Sequence, residues 1–315
     1  MEKNEASLKQ IAQELDLSIG AVSRGLRDCA DISEATKEKI RLKAIELGYV
    51  PNLAARNLAT GRTNTVAVLL DSLSSPYFGM VSEWLIKELR RHGYQTLLMP
   101  VSELYATKSS IKDALGMGID AIITFLVPSA EAVEMARLAK KPMLLFGRYV
   151  DRKGLLIFYS DDEEGGKIAA DYLIKEKHRK KLAYIGAKQF DFDAIRNRGF
   201  VDEAKRLGLL DVVRLEDSDL SSLDQAILRG LDGIFCFDDL LASRTLNRLK
   251  GDDVSLVGFN GTSHFYDSVF DITSIESDYT LMVKSAVNAL LEAIRDPGDK
   301  PVISKFPVHL YLGQS

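Results

Sequence analysis

The sequence predicts an α/β protein in which a small helical unit precedes a core of doubly wound parallel sheets. Three observations carry this. The texture of the chain changes after about residue 60. Apolar runs then alternate with amphipathic stretches, and those runs are too many for one sheet of ordinary size. Length agrees, because 315 residues correspond to about two domains.

The opening segment reads as three short helices. Ser7 precedes Leu8, Ile11, Ala12 and Leu15, which share one helical face, and Gln10 stands where a capping box needs it. Ser18 caps a second helix over 19–26, with Val22 and Leu26 inward, after a turn of helix–turn–helix length. Ser33 caps a third over 34–47, burying Ile40, Ala44 and Leu47, and Gly48 supplies its left-handed stop. Pro51 blocks continuation, Asn52 can cap a short Ala-rich helix over 53–59, and Gly61 ends it. From helix spacing alone, this unit is equally a DNA-binding, capping or dimerisation element.

The strands follow as VAVLL (66–70), QTLLM (95–99), IDAIITF (119–125), PMLLF (142–146), LLIFY (155–159), KLAYI (181–185), VVRL (212–215), GIFCF (233–237) and VSLVGF (254–259). Continuous apolar runs of this length suit strands buried on both faces. Between them lie amphipathic stretches such as 77–92, 163–176, 194–207 and 239–249. Two sheets side by side, divided near Tyr159–Glu164, are expected.

Composition excludes several classes. The chain is 46% hydrophobic and 27% charged, which rules out a disordered or fibrous protein. It has no apolar run long enough to span a bilayer, and MEKNEASLKQ offers no apolar signal region. Its two cysteines, Cys29 and Cys236, lie far apart, so a cytoplasmic setting is expected rather than a disulfide framework. Net charge is −4, and the residues before Asn64 carry 10 Lys and Arg against 9 Asp and Glu. Any DNA contact must come from local placement of cations rather than from a basic surface. Phosphate-cradling glycine loops and the G-x-S-x-G elbow are missing from the sequence. His92, His178, His264 and His309 show no metal-ligand spacing, so an enzyme is the weaker class. Gly165–Gly166 at a helix start is a weak phosphate signal.

SLKQIAQELDLSIGAVSRGL, then ISEATKEKI, ELGYVPNLAARNLATGRT and SLSSPYF, resembles the LacI/GalR family of bacterial transcription regulators. DDEEGG, HRKKLAYIG, RNRGF, IFCFDDLLA and DVSLVGFN extend the resemblance over nearly the whole chain. It implies a helix–turn–helix domain at 1–50, a hinge helix and linker at 51–63, and a two-lobed periplasmic-binding-protein-like domain at 64–315. The first lobe would take 64–159 plus part of 279–315, and the second 160–278. The implied function is a homodimeric, sequence-specific, allosteric repressor, cytoplasmic and nucleoid-associated on its operator. Its effector would be a small molecule, a sugar or sugar derivative, with no cofactor, metal or membrane partner.

The resemblance places the second helix in the major groove, with Ile19 and Gly20 at base edges and Arg24 able to pair with guanine. Ser7, Ser18 and Ser23 suit phosphate contacts. Ala21 stands where many relatives carry Thr, and Arg27 where many carry Asn, which adds a charge within reach of a phosphate. Ile19 and Gly20 offer no side-chain hydrogen bond, so readout there would be apolar. In the hinge, Asn52, Ala55 and Leu58 match the minor-groove segment, with Leu58 as the wedge between base pairs. A large apolar side chain on a marginal, Ala-rich helix also calls for an apolar destination.

Ligands of such folds sit at the carboxyl ends of strands. The strand-to-helix turns offer Asp71, Ser75, Tyr77, Phe78, Phe125 and Arg148 from the first lobe. From the second they offer Asp161, Arg196, Asp238, Asp239 and Asn260. Phe190 and Phe192 join Tyr77 and Phe78 as stacking candidates. Arg196 matches the family's effector-contacting arginine, whose planar fork grips hydroxyls or a carboxylate. Asn260, Asp238 and Gly313 depart from the usual Asp, Asn and Arg. Arg148 and Arg196 favour an anionic ligand, whereas Asp161 and Asp239 oppose one. The competing readings are a transporter's solute-binding protein, which leaves residues 1–60 unexplained, and a cytosolic enzyme on the same scaffold.

Overall fold

The computed structural model describes residues 7–50, 62–103, 105–187, 191–216, 221–249, 253–266, 271–298 and 301–313. The chain divides into two compact units, Met1–Thr63 and Asn64–Ser315.

The first unit contains α1 (Leu8–Glu14), α2 (Ile19–Leu26) and α3 (Glu34–Glu46). Ser7, Ser18 and Ser33 each accept a backbone N–H three residues on, which meets an otherwise orphaned donor at each helix start. Ile11, Ala12, Val22, Ile40 and Ala44 form the core. Gly48, at φ +63°, turns the chain out of α3, and the Gly48 and Tyr49 N–H groups close onto Ile45 and Ala44 carbonyls.

The second unit holds two six-stranded sheets. The first has the order β13-β7-β6-β4-β1-β2, with β1 (Thr65–Leu70), β2 (Gln95–Pro100), β4 (Ala121–Thr124), β6 (Met143–Phe146), β7 (Leu156–Ser160) and β13 (Val302–Phe306). All its pairings are parallel. The second has the order β14-β12-β11-β10-β8-β9, with β8 (Leu182–Gly186), β9 (Val212–Glu216), β10 (Gly233–Cys236), β11 (Ser255–Phe259), β12 (Ser274–Ser277) and β14 (Val308–Tyr311). Only β14 runs antiparallel, against β12. A two-stranded patch pairs β3 (Tyr105–Ala106) with β5 (Val127–Pro128).

The helices are α4 (Pro76–Arg91), α5 (Lys108–Gly116), α6 (Ala130–Leu138), α7 (Asp162–Asp171), α8 (Asp191–Arg206), α9 (Ser221–Leu228), α10 (Asp239–Arg248), α11 (Thr262–Phe265) and α12 (Tyr279–Arg295). A π-turn, Tyr172–Glu176, extends α7. Strand alternation builds the first lobe's layers. Val66, Val68 and Leu70 pack with α4 and α12, while Ala67 and Leu69 pack with α5 and α6. One further cluster, including Tyr184, Phe200, Phe235 and Phe259, fills the second lobe.

All nine apolar runs form strands. Sequence reading missed β12, β13 and β14, and it did not single out the 17-residue α12. The crossover after β7 comes at Asp161, inside the expected boundary. The hinge segment at 52–59 lies outside the described residues.

Candidate functional site

In the first unit, α2 has two faces. Val22 and Gly25 are buried, while Ile19, Gly20, Arg24 and Arg27 are exposed and Ser23 is half-buried. Ile19 is 49% exposed and so free to meet a partner surface. Arg24 pairs with Asp31 at 3.1 Å, and Arg27 Nε donates to the Ser23 carbonyl at 3.2 Å. An exposed pair of this kind is screened by salt and contributes little, so Arg24 can exchange Asp31 for another acceptor. The Ser7 and Ser18 hydroxyls accept helix N–H groups, which leaves each O–H proton to donate outward. Asn52, Ala55 and Leu58 lie outside the described residues.

In the second unit, the carboxyl ends of both sheets border a cavity of about 220 Å³. Nine of the expected residues meet there: Asp71, Ser75, Tyr77, Phe78, Phe125, Arg148, Arg196, Asp238 and Asn260. Tyr77, Phe78, Phe125 and Phe146 form a chain of rings with centroids 5.0–6.2 Å apart. Burial raises the Tyr77 phenol above its ordinary value, so it stays a hydroxyl donor.

Burial likewise pushes the Asp71 carboxyl up, against the pull of Arg148. Asp71 Oδ1 is buried without a hydrogen-bond partner. Arg148, brought down to about 10 by burial, is held up in part by Asp71. Asn260 adopts φ +94°, a backbone conformation that costs energy and that folds tend to keep at ligand sites. Its N–H donates to the Ile275 carbonyl at 2.7 Å, and its Oδ1 accepts from Tyr279 at 3.4 Å.

Arg196 is buried rather than presented on the surface. Nε donates to Asp162 at 3.0 Å and Nη1 to the Phe237 carbonyl at 2.6 Å, while the guanidinium lies 3.6 Å from the Phe259 ring centroid. Burial pushes Asp162 upward and Arg196 pulls it back. The aromatic sandwich and the ion pair hold the fork at the cavity edge.

Asp161 and Asp239 lie off the cavity wall. Asp161 caps α7 by accepting from Glu164 N at 3.3 Å, and it pairs with Lys305 at 2.6 Å. Asp239 is buried among donors: Thr262 N, Thr262 Oγ1, Ser263 N and Ser274 Oγ. Burial brings its carboxyl up to about 7 despite those donors. Phe190 lies outside the described residues, as does the side chain of Phe192.

Sequence reading missed Phe146, Phe237 and Arg244 on the wall. Phe146 and Phe237 end their apolar runs as Phe125 does, so the run-final aromatic was the available signal. Arg244 stands on the second turn of α10, and nothing in the local sequence marks it.

Two family models match. That of the periplasmic binding proteins and sugar binding domain of the LacI family covers residues 63–232, and that of the periplasmic binding protein-like domain covers residues 170–315. The HTH-type transcriptional regulator RegA of Clostridium saccharobutylicum is 27% identical over 311 residues, spanning 91% of this chain and 92% of its own. Among solved structures, the lac repressor dimer bound to operator and the anti-inducer ONPF aligns with a TM-score of 0.80 at 19% identity, over 99% of each chain. A cellobiose complex of the regulator CelR aligns at 0.67 and 22%, over 99% of this chain and all of its own. The first family model alone spans more than half of the sequence, and the chain belongs to the LacI family of transcriptional regulators.

Proposed function

We propose that the chain is a sequence-specific repressor of transcription, homodimeric and controlled by a small hydroxylated effector held in the cavity between the two sheets. The observation that carries this is the outward face of α2, where Ile19, Gly20, Ser23, Arg24 and Arg27 stand opposite the buried Val22. Arg24 would pair with a guanine, each such bidentate pair being worth about 1–3 kcal/mol of discrimination. Ser7, Ser18 and Arg27 would hold phosphates and fix the register. A symmetric dimer would present two such helices to a pseudo-palindrome.

The relatives support the reading. One neighbour is a repressor dimer on its operator, another holds cellobiose, and one matched family model describes a sugar-binding domain. In the cavity, Asp71, Ser75, Arg148, Arg196 and Asn260 would meet hydroxyls, and the rings would take an apolar sugar face. The relatives are regulators rather than enzymes, which favours binding without turnover. No helix among the described residues is long and apolar enough to cross a membrane. A repressor would work in the cytoplasm, at the nucleoid when bound.

The test is fluorescence anisotropy against fragments of the source genome at fixed salt. A subset should bind at least 1,000-fold more tightly than the remainder, within the usual range for specific binding. Arg24→Ala should cut that preference about 10-fold or more and leave non-specific binding nearly unchanged. Uniform, salt-sensitive binding to every fragment would sink the proposal.

A further inference from the structure

The charges on the cavity wall narrow the ligand further, on the reading that this cavity is the effector site. Asp161 and Asp239, which would have disfavoured an anion, are off the wall and engaged elsewhere. Two carboxylates remain on the wall, Asp71 and Asp238. Asp238 caps α10 by accepting from Leu241 N at 2.8 Å, and Asp71 stands within electrostatic reach of Arg148. Arg196 is matched by Asp162 at 3.0 Å. Arg244 differs from these. It lies exposed at the cavity edge on α10 and makes no hydrogen bond or ion pair among the described residues. Its neighbour on the helix, Arg248, pairs with Asp224 instead.

We infer that Arg244 is a ligand-contact residue, and that the cavity takes a single hydroxylated ring bearing an anionic substituent, carboxylate or phosphate. The volume of about 220 Å³ is below the usual range for drug-sized ligands and suits one ring. Phe78 and Phe237, which keep some accessible surface on the wall, offer it an apolar face. The unpartnered Asp71 Oδ1 accepts a ring hydroxyl on the first-lobe side. The anion then lies at the mouth against Arg244, where a guanidinium fork matches carboxylate or phosphate oxygens.

The test is calorimetric titration of the full chain with matched ligands: glucose, galactose and mannose, each against its uronate and its 6-phosphate. In at least one set an acidic member should bind 10-fold or more tightly than the neutral sugar at 50 mM salt. The advantage should shrink at 500 mM because Arg244 is solvent-exposed. Arg244→Gln should bring the acidic-to-neutral ratio to about one, and Arg244→Lys should retain part of it. A uronate advantage identifies carboxylate, and a 6-phosphate advantage identifies phosphate. A neutral sugar that binds and alters operator affinity, with neither acid better, overturns the inference and leaves the repressor reading standing. An acid preference that survives Arg244→Gln overturns the role of Arg244. Binding of none of these ligands, with operator preference intact, overturns the inference and the sugar-sensing part of the reading together.

Discussion

Removing the Arg196 side chain would leave Asp162 buried opposite an empty space, because Asp162 is only 6% exposed. Breaking a buried pair from one side costs about 3–5 kcal/mol. Arg196→Ala should therefore shift the urea midpoint strongly as well as abolish any effector response, and an unchanged midpoint would contradict the buried pairing. Asp239 gives a second prediction at this scale. Its carboxyl titrates near 7 in the folded chain, against an ordinary value of 3.8. The folded state therefore holds the proton longer than the unfolded state does. The associated stability is complete below about pH 4, falls as pH rises toward 7, and is level above that. Denaturation curves from pH 4.5 to 8 should show this slope in the wild type and lack it in Asp239→Asn. At pH 5, where the wild-type carboxyl holds its proton, that variant should differ little in stability, since its amide oxygen can keep the Thr262 N, Thr262 Oγ1 and Ser263 N bonds while its N–H₂ turns to the Ser274 hydroxyl, which can accept. Sequence pattern marks both residues as lying where strands hand over to helices. It carries no sign of which way a side chain turns, and that direction separates a wall residue from a buried anchor.

The α7–α8 crossing works at the scale of elements. A Cβ on Gly199 would run into the Glu163 carbonyl oxygen, and one on Gly166 into the Arg196 carbonyl oxygen. Backbone atoms on both sides cannot yield, so Gly199→Ala should cost about 1–3 kcal/mol. It should also weaken ligand binding by drawing Arg196 on α8 away from Asp162 on α7. Loss of stability without loss of affinity would separate the two effects. In sequence, Gly165–Gly166 reads as a faint phosphate signal, whereas in the fold Gly166 lets two helices approach. The buried strands were legible because burial on both faces demands unbroken apolar runs. β13 was not, because an edge strand alternates half-buried and exposed positions along VISKF. SIES was not, because Ser274 in β12 is retained to bond Asp239 rather than to fill an apolar core.

For the whole molecule, the proposed control is a coupling free energy, and such couplings are reciprocal. If saturating effector changes operator affinity by some factor, typically about 5–150-fold, saturating operator must change effector affinity by the same factor. Titrations in both directions should return matching ratios. Unequal ratios at equilibrium would mean that the two ligands do not act on one pair of states. Ligand should also protect the second unit against heat, with about 2.7 kcal/mol gained at 100 times the dissociation constant. The path of the backbone adds a further constraint. The polypeptide passes from one sheet to the other at Asp161, again at Asp278 and finally at Pro307, so β13 and β14 are consecutive yet belong to different sheets. No single recombination breakpoint in the gene can therefore exchange one lobe intact; a swap needs a breakpoint at each of these passages.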